Sequence, residues 1–338
     1  MSNKAAVLEE AKSSLTIEDR SMPSPQGSEI VVKNHAVAIN PVDGMMQQTG
    51  FLIKNYPFIL GSDTCGIVEA VGPDVKHFKK GDRVAGFAPS IATGKLDHGA
   101  FQQYVVLLES ASVKIPDSVS FEQGATLPMA IATSGGAIFT CLEIPRPPTK
   151  QHGGFLIWGG SSSVGSAAVQ IATALGFKVF AVCSQHNHSY VKSLGATEVF
   201  DYNDPNVVKN ITSFAKKAGV EIKYAYDAVS KSASLPHVLA VLEEYGGGKL
   251  AAVLPWPEDV TKSEKVTISQ TAAFRVVTDQ QEFGHWIFND WLEKSLAEKT
   301  YVPSPGVETV KGGISGIQDA IKHHDKGVSG KKIVVPLV

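Results

Sequence analysis

The segment Gly159-Gly-Ser-Ser-Ser-Val-Gly165 follows the apolar run Phe155–Trp158 and leads into a helical pattern, Val164, Ala168, Ile171 and Leu175, that Gly176 closes. A strand, a glycine-rich turn and a helix in that order aim unpaired N–H groups and the positive end of a helix dipole at one spot, where a pyrophosphate can sit. Gly159, Gly160, Ser161, Ser162, Ser163, Val164 and Gly165 are therefore candidate cofactor-binding residues. Spaced by threes from Gly159, the key positions read Gly159, Ser162 and Gly165, so a serine stands where the usual fingerprint has its middle glycine.

About twenty residues further on, Lys178-Val-Phe-Ala-Val-Cys-Ser184 reads as a second strand ending in a hydroxyl. In NAD-binding units an acidic side chain at this point holds the ribose hydroxyls. A carboxylate there would repel a 2′-phosphate, whereas Ser184, His186 and Asn187 can donate hydrogen bonds to one. The expected cofactor is NADPH. Lys192 is the nearest cation in sequence, and its place on a helix face predicts a solvated side chain.

Alternating elements must hold these groups. The short β-like runs Phe155–Trp158, Val179–Val182, Glu198–Phe200, Tyr224–Tyr226 and Lys249–Val253 interleave with helical candidates near 164–175, 187–194, 205–218 and 233–245. That order predicts a doubly wound parallel sheet. The chain before about residue 125 is β-rich instead, with strand-like runs in Ile30–Ile39, Gly66–Gly72, Gly81–Gly86 and Phe101–Leu108, punctuated by Gly, Pro and Asp as in a partly closed barrel.

The chain has 338 residues, of which 43% are hydrophobic and 19% charged, enough for two domains with ample cores. A net charge of −2 supplies no basic surplus for nucleic acid or an acidic membrane. Cys65, Cys141 and Cys183 are odd in number and far apart, which predicts reduced thiols rather than a disulfide framework. The first residues contain no apolar run suited to a signal peptide, and no stretch of about 18 apolar residues marks a membrane span. The expected compartment is the cytoplasm.

Several motifs occur in register with one family. Asn40-Pro-Val-Asp43, Gly61-Ser-Asp-Thr-Cys-Gly66, Gly81-Asp-Arg-Val84, Gly99-Ala-Phe-Gln-Gln-Tyr104, Ala125-Thr-Leu-Pro128, the Gly159–Gly165 turn and Ser329-Gly-Lys-Lys-Ile-Val-Val335 resemble the medium-chain dehydrogenase/reductases over nearly the whole chain. Within that family the chain is similar to the zinc-independent quinone oxidoreductase branch, and more closely to fungal trans-acting enoyl reductases that serve polyketide synthases. Ile131-Ala-Thr133, Cys183-Ser-Gln-His-Asn187 and Glu198-Val-Phe-Asp-Tyr202 carry the closer likeness. The resemblance implies a Rossmann-type NADPH-binding domain, 126–275, inserted into a GroES-like β-rich catalytic domain formed by 1–125 and 276–338.

It also implies roles. Thr133 matches a threonine near the nicotinamide, whose hydroxyl could bond the carboxamide or an enolate oxygen; a helix-interior Thr can equally bond its own backbone. Tyr202 matches a position that packs on or bonds to the 2′-phosphate. Lys331 matches a turn near the cofactor cleft, and Leu254, in Leu254-Pro-Trp-Pro257, could edge the nicotinamide pocket, with Trp256 beside it a core candidate. Asn40 and Asp43 could shape the substrate pocket, although Asn-Pro-x-Asp is also a good turn and capping sequence.

Zinc-dependent members carry a Cys, a His-Glu pair and a later Cys or Asp as ligands. Here the corresponding elements read Asn40-Pro-Val-Asp43 and Gly61-Ser62-Asp63, and 81–99 lacks the four cysteines of the structural lobe. A catalytic zinc needs three protein ligands, so none is expected; His98, His323 and His324 are expected to be solvated. Met45 and Gln47 replace the Tyr and Arg, or the Lys, of relatives, leaving no ready proton donor there. The chemistry expected is hydride transfer from NADPH to the β-carbon of an α,β-unsaturated carbonyl. Quinone reduction and a non-catalytic NADPH-binding scaffold are the alternatives. The implied partners are a conjugated carbonyl substrate, free or carrier-bound, and a polyketide synthase. Either a monomer or a homodimer is consistent with the sequence, Ala272–Val277 being a candidate edge strand for the latter.

Overall fold

The computed structural model describes residues 2–338. The chain forms two compact units, one running up to Ala132 and resuming at Phe274–Val338, the other Thr133–Ala273.

Along the first unit the strands are β1 (Ser2–Leu8), β2 (Thr16–Ser21), β3 (Glu29–Ala38), β4 (Phe58–Ile59), β5 (Asp63–Val71), β6 (Arg83–Phe87), β7 (Tyr104–Leu108) and β8 (Ser112–Lys114). The second unit contributes β9 (Gly154–Trp158), β10 (Lys178–Cys183), β11 (Glu198–Asp201), β12 (Ile222–Asp227), β13 (Gly248–Ala252) and β14 (Val266–Gln270). The chain then returns to the first unit with β15 (Gly306–Thr309) and β16 (Lys331–Pro336).

In the first unit β1 lies between β2 and β4, and a larger sheet runs β15-β16-β3-β5-β6-β8 with β7 also paired to β3. β16 pairs antiparallel with β3, placing Val334 opposite Ala38, so the two separate segments of this unit share one sheet. Its core gathers Val7, Ile30, Ile39, Phe58, Phe101 and Ile333 among others.

The second unit is a six-stranded sheet in the order β11-β10-β9-β12-β13-β14, parallel at every pairing. β9 is buried at all five positions, as a central strand covered on both faces must be, and its near-continuous apolar sequence reflects that. The Ser163–Leu175 helix buries Gly165–Ala172 and Leu175, a face wider than the expected stripe, and ends on Gly176 with φ 99°. The strand order reverses between β9 and β12, which opens a crevice beyond their carboxyl ends.

Two local expectations are corrected. Ala272–Val277 is not an edge strand; Ala273–Val277 forms a 3-10 helix, and β14 is the edge of the parallel sheet. β14 itself, only two apolar residues alternating with polar ones, gave too weak a pattern to stand out in the sequence.

Candidate active site

The phosphate turn of the second unit is built by hydrogen bonds that its serines make. Ser162 caps the helix: its Oγ accepts from the Gly165 N–H at 3.0 Å and donates to the Gly159 carbonyl at 2.8 Å. The Ser162 carbonyl accepts the Ser166 N–H, the first bond of the helix. Among the described residues the Ser163 and Val164 amides have no acceptor, and both residues are partly open to solvent. Two such donors at the N-terminus of a thirteen-residue helix can receive an anion. Gly165 is required for this turn: a Cβ there would stand 2.1 Å from the Gly159 carbonyl oxygen. Gly159 adopts φ 80°, and its N–H and that of Gly160 both donate to the Val182 carbonyl, tying the turn to β10.

At the end of β10, Ser184, His186 and Asn187 come together in a single 3-10 turn. The Asn187 N–H donates to the Ser184 carbonyl at 2.9 Å and its side-chain amide lies 3.3 Å from His186 Nε2. Ser184 is partly exposed and His186 exposed, so both can reach a ligand. Tyr202, 48% exposed, follows β11, whose Asp201 pairs in register with Cys183. One oxygen of the Asp201 carboxylate, Oδ1, accepts from the Asn203 backbone and side-chain amides. Burial, assisted by Asp201, pushes the Cys183 thiol up to about 12. Lys192 is ion-paired with Glu198 at 2.7 Å.

Thr133, 8% exposed, is anchored by its backbone, since the Thr271 hydroxyl donates to its carbonyl at 3.0 Å. The next residue, Ser134, donates to the Val164 carbonyl at 2.6 Å and so links this segment to the phosphate helix. Leu254 is partly buried just beyond β13. Trp256 donates its indole N–H to the Val260 carbonyl at 2.7 Å and rests on the core of the unit.

In the first unit Asn40 and Asp43 belong to a buried polar network. Asn40 donates from Nδ2 to Asp63 Oδ2 at 2.9 Å and accepts from Lys332 Nζ at 2.5 Å. Lys332 lies 2.9 Å from Asp63 Oδ2, and the other Asp63 oxygen accepts the Met129 N–H at 2.6 Å. Asp43 caps the Pro41–Thr49 helix by accepting the Asn40 N–H at 2.7 Å. Burial pushes its carboxyl up to about 7, although the Asn40 N–H and the Lys332 charge pull it down. Sequence reading singled out Lys331, which is exposed at the start of β16, and missed Lys332. The signal available was a lysine set within an apolar strand run, which needs an acid partner.

Gln47 is 2% exposed and is engaged with the Ser13 carbonyl and Gln318. Met45 is 38% exposed. His98 corrects the expectation of a solvated ring: it is 3% exposed, 3.4 Å from Glu29 and 3.2 Å from the Thr93 hydroxyl. Burial, chiefly, lowers its pKa, against the raising effect of Glu29. His323 and His324 pair with Glu308 and Asp325. All three cysteines are free thiols. Among the described residues no helix is long and apolar enough to cross a membrane, and no cluster of His, Cys, Asp or Glu has metal-binding geometry.

A six-stranded parallel sheet with a serine-capped turn after β9, encoded between two segments of a β-rich unit, has the doubly wound arrangement that dinucleotide-dependent oxidoreductases use. Comparison with known proteins agrees. The alcohol dehydrogenase GroES-like domain matches residues 26–117, and the zinc-binding dehydrogenase domain matches 163–277. The dehydrogenase orsE of Emericella nidulans is 38% identical over 99% of both chains. The trans-enoyl reductase tndF of Aspergillus flavipes is 36% identical over 99% of both. The crystal structure of a Pseudomonas syringae quinone oxidoreductase superposes with a TM-score of 0.77 at 25% identity, covering 99% of this chain and 100% of that one. The chain belongs to the medium-chain dehydrogenase/reductase family, alongside fungal dehydrogenases and trans-enoyl reductases, and is an oxidoreductase.

Proposed function

We propose that the protein is an NADPH-dependent, zinc-independent reductase of α,β-unsaturated carbonyls, taking an enoyl thioester carried by a partner polyketide synthase. The observation that carries the cofactor reading is the turn after β9, with its unpaired Ser163 and Val164 amides, in one unit with a β10 that is followed by Ser184 rather than an acid. The residues fit the group: Gly159–Gly165 would hold the pyrophosphate, and Ser184, His186, Asn187 and Tyr202 the 2′-phosphate. Leu254 and Lys331 are assigned to flank the nicotinamide end. When bound, the nicotinamide supplies a hydride.

The substrate class is supported by relatives named trans-enoyl reductases and by the donor set of the first unit. Asp63 stands at the position of the zinc-ligating element, yet its oxygens are committed to Asn40, Lys332 and the Met129 amide. Three ligands and an open position are not available there. Without a Lewis acid, a double bond already polarised by its carbonyl is the easier acceptor, because its oxygen takes up the electron pair. Thr133 is assigned to hydrogen-bond that oxygen or the carboxamide. Asn40 and Asp43 shape the substrate wall through the helix that they begin and cap. Gln47 is spent on internal bonds and Met45 carries no acid, so neither is assigned as the donor, and the proton for the α-carbon is assigned to water, directly or relayed by Thr133.

The test is NADPH consumption by the purified protein against enoyl thioesters, simple enones and quinones. Turnover of thioesters well above quinones is expected. Faster quinone turnover would transfer the protein to quinone reduction, and NADPH binding without oxidation by any acceptor would make it a scaffold.

A further inference from the structure

The crevice at the strand reversal has a second rim, formed by the loops that follow β12 and β13, and one carboxylate shapes it. Asp227, the last residue of β12, is fully buried. Its Oδ1 accepts the N–H of Val229 at 2.9 Å and of Ser230 at 2.8 Å. Those two bonds bend the loop so that Ser230 adopts φ 52°, a left-handed conformation that a serine takes up only when its surroundings enforce it. The Ser230 hydroxyl then works in both directions, donating to the Asp227 carbonyl at 2.7 Å and accepting the Val253 N–H at 2.8 Å. Val253 directly precedes Leu254.

The same loop is fixed to the phosphate turn. The Ala228 N–H donates to the Trp158 carbonyl at 2.9 Å. Val229 lies so close to Gly159 that a Cβ on the glycine would come within 2.8 Å of it. Asp227 and Ser230 thus join the ends of β9, β12 and β13. In a doubly wound sheet the half carrying β9, β10 and β11 receives one mononucleotide, and the half beginning at β12 receives the other. Ser184 places the adenosine part over the first half.

We propose that Asp227 and Ser230 are positioning residues that hold the β12 and β13 loops in the shape receiving the nicotinamide mononucleotide half of the cofactor. The proposal rests on the NADPH reading above. Neither residue is assigned to the reaction itself; both act through the backbone of Val229 and Val253. A loosened clamp costs binding of that half alone, since the phosphate turn and Ser184 keep their own hydrogen bonds.

The test compares two ligands, NADPH and adenosine 2′,5′-bisphosphate, the second lacking the nicotinamide half, by calorimetric or fluorescence titration on the full chain. For Ser230→Ala and Asp227→Ala the dissociation constant for NADPH is expected to rise about tenfold, roughly the worth of one buried hydrogen bond, with the bisphosphate unchanged. Asp227→Asn keeps an oxygen for both amides and is expected to restore wild-type affinity, which a nonspecific loss of fold would not do. Equal weakening of both ligands, weakening of neither, or an Asp227→Asn variant as weak as Asp227→Ala would overturn the proposal. Failure of the wild-type protein to bind either ligand would instead sink the NADPH reading on which it rests.

Discussion

Breaking the buried Asp63–Lys332 pair one partner at a time asks how far the network around Asn40 depends on charge balance. The two side chains are 0% and 4% exposed and 2.9 Å apart. Asp63→Asn preserves shape and keeps an oxygen for the Met129 N–H, but turns an NH2 toward the Lys332 ammonium and Asn40 Nδ2, both donors. An ammonium left buried without its counter-ion costs about 3–5 kcal/mol. Lys332→Met strands the Asp63 carboxylate on Asn40 and one backbone amide, a loss of the same order. The double variant removes both charges and is expected to recover at least about 2 kcal/mol relative to the sum of the single losses. Urea unfolding followed by tryptophan fluorescence measures this. Trp286 and Trp291 report on the unit that holds the network once Trp158 and Trp256, in the other unit, are replaced by Phe. Added salt should leave the differences intact, because ions do not reach a pair closed to solvent. Single losses below about 1 kcal/mol that simply add would refute the claim that the pair is electrostatically coupled.

Three further outcomes follow from the two sites. In Gly165→Ala the new Cβ would meet the Gly159 carbonyl oxygen at 2.1 Å, so the turn must open. NADPH affinity should fall roughly 10- to 100-fold, with a much smaller change in melting temperature, by parallel titration and calorimetry; unchanged affinity would dissociate the turn from cofactor binding. Ser184→Ala combined with His186→Ala should weaken NADPH while leaving NADH unaffected, and an equal effect on both would remove the 2′-phosphate assignment. Asp43 is pushed up to about 7 in the folded protein, above its unfolded value, so the folded state holds the extra proton. Its contribution to stability is complete below about pH 4 and is lost as pH rises through about 7, by a few kcal/mol at most. Urea unfolding at pH 5 and pH 8 should show that slope in the wild type and a flatter one in Asp43→Asn.

The parallel sheet was readable because its central strands are buried on both faces. Phe155–Trp158, Val179–Val182 and Tyr224–Tyr226 all fall within β9, β10 and β12. Edge elements were not: β14 alternates with polar residues, and Ala272–Val277 has the β-branched composition of a strand while its surroundings make it helical. Local spacing exposed the serine-capped turn after β9, since the Ser162 bonds that cap its helix lie within Gly159–Gly165. The Asp63–Lys332 pair joins positions at opposite ends of the chain, and the Ser230–Val253 bond joins two loops, so no window of sequence contains either. His98 was misplaced for a related reason, its acid partner Glu29 being brought in by the start of β3, far away in sequence.

Lys332 also bears on the chemistry. By the family resemblance, Asn40 and Gly61–Asp63 stand in the elements that carry the ligands of zinc-dependent members. This chain keeps an acid there, Asp63, and neutralises it with a single ammonium whose other bond goes to Asn40. A dication at that carboxylate would have to displace Lys332 and leave its charge buried without a partner, at a cost of several kcal/mol. Lys332 instead makes this network a fixed, hydrogen-bonded support for the helix that begins at Asn40, in keeping with the zinc-independent reading proposed above.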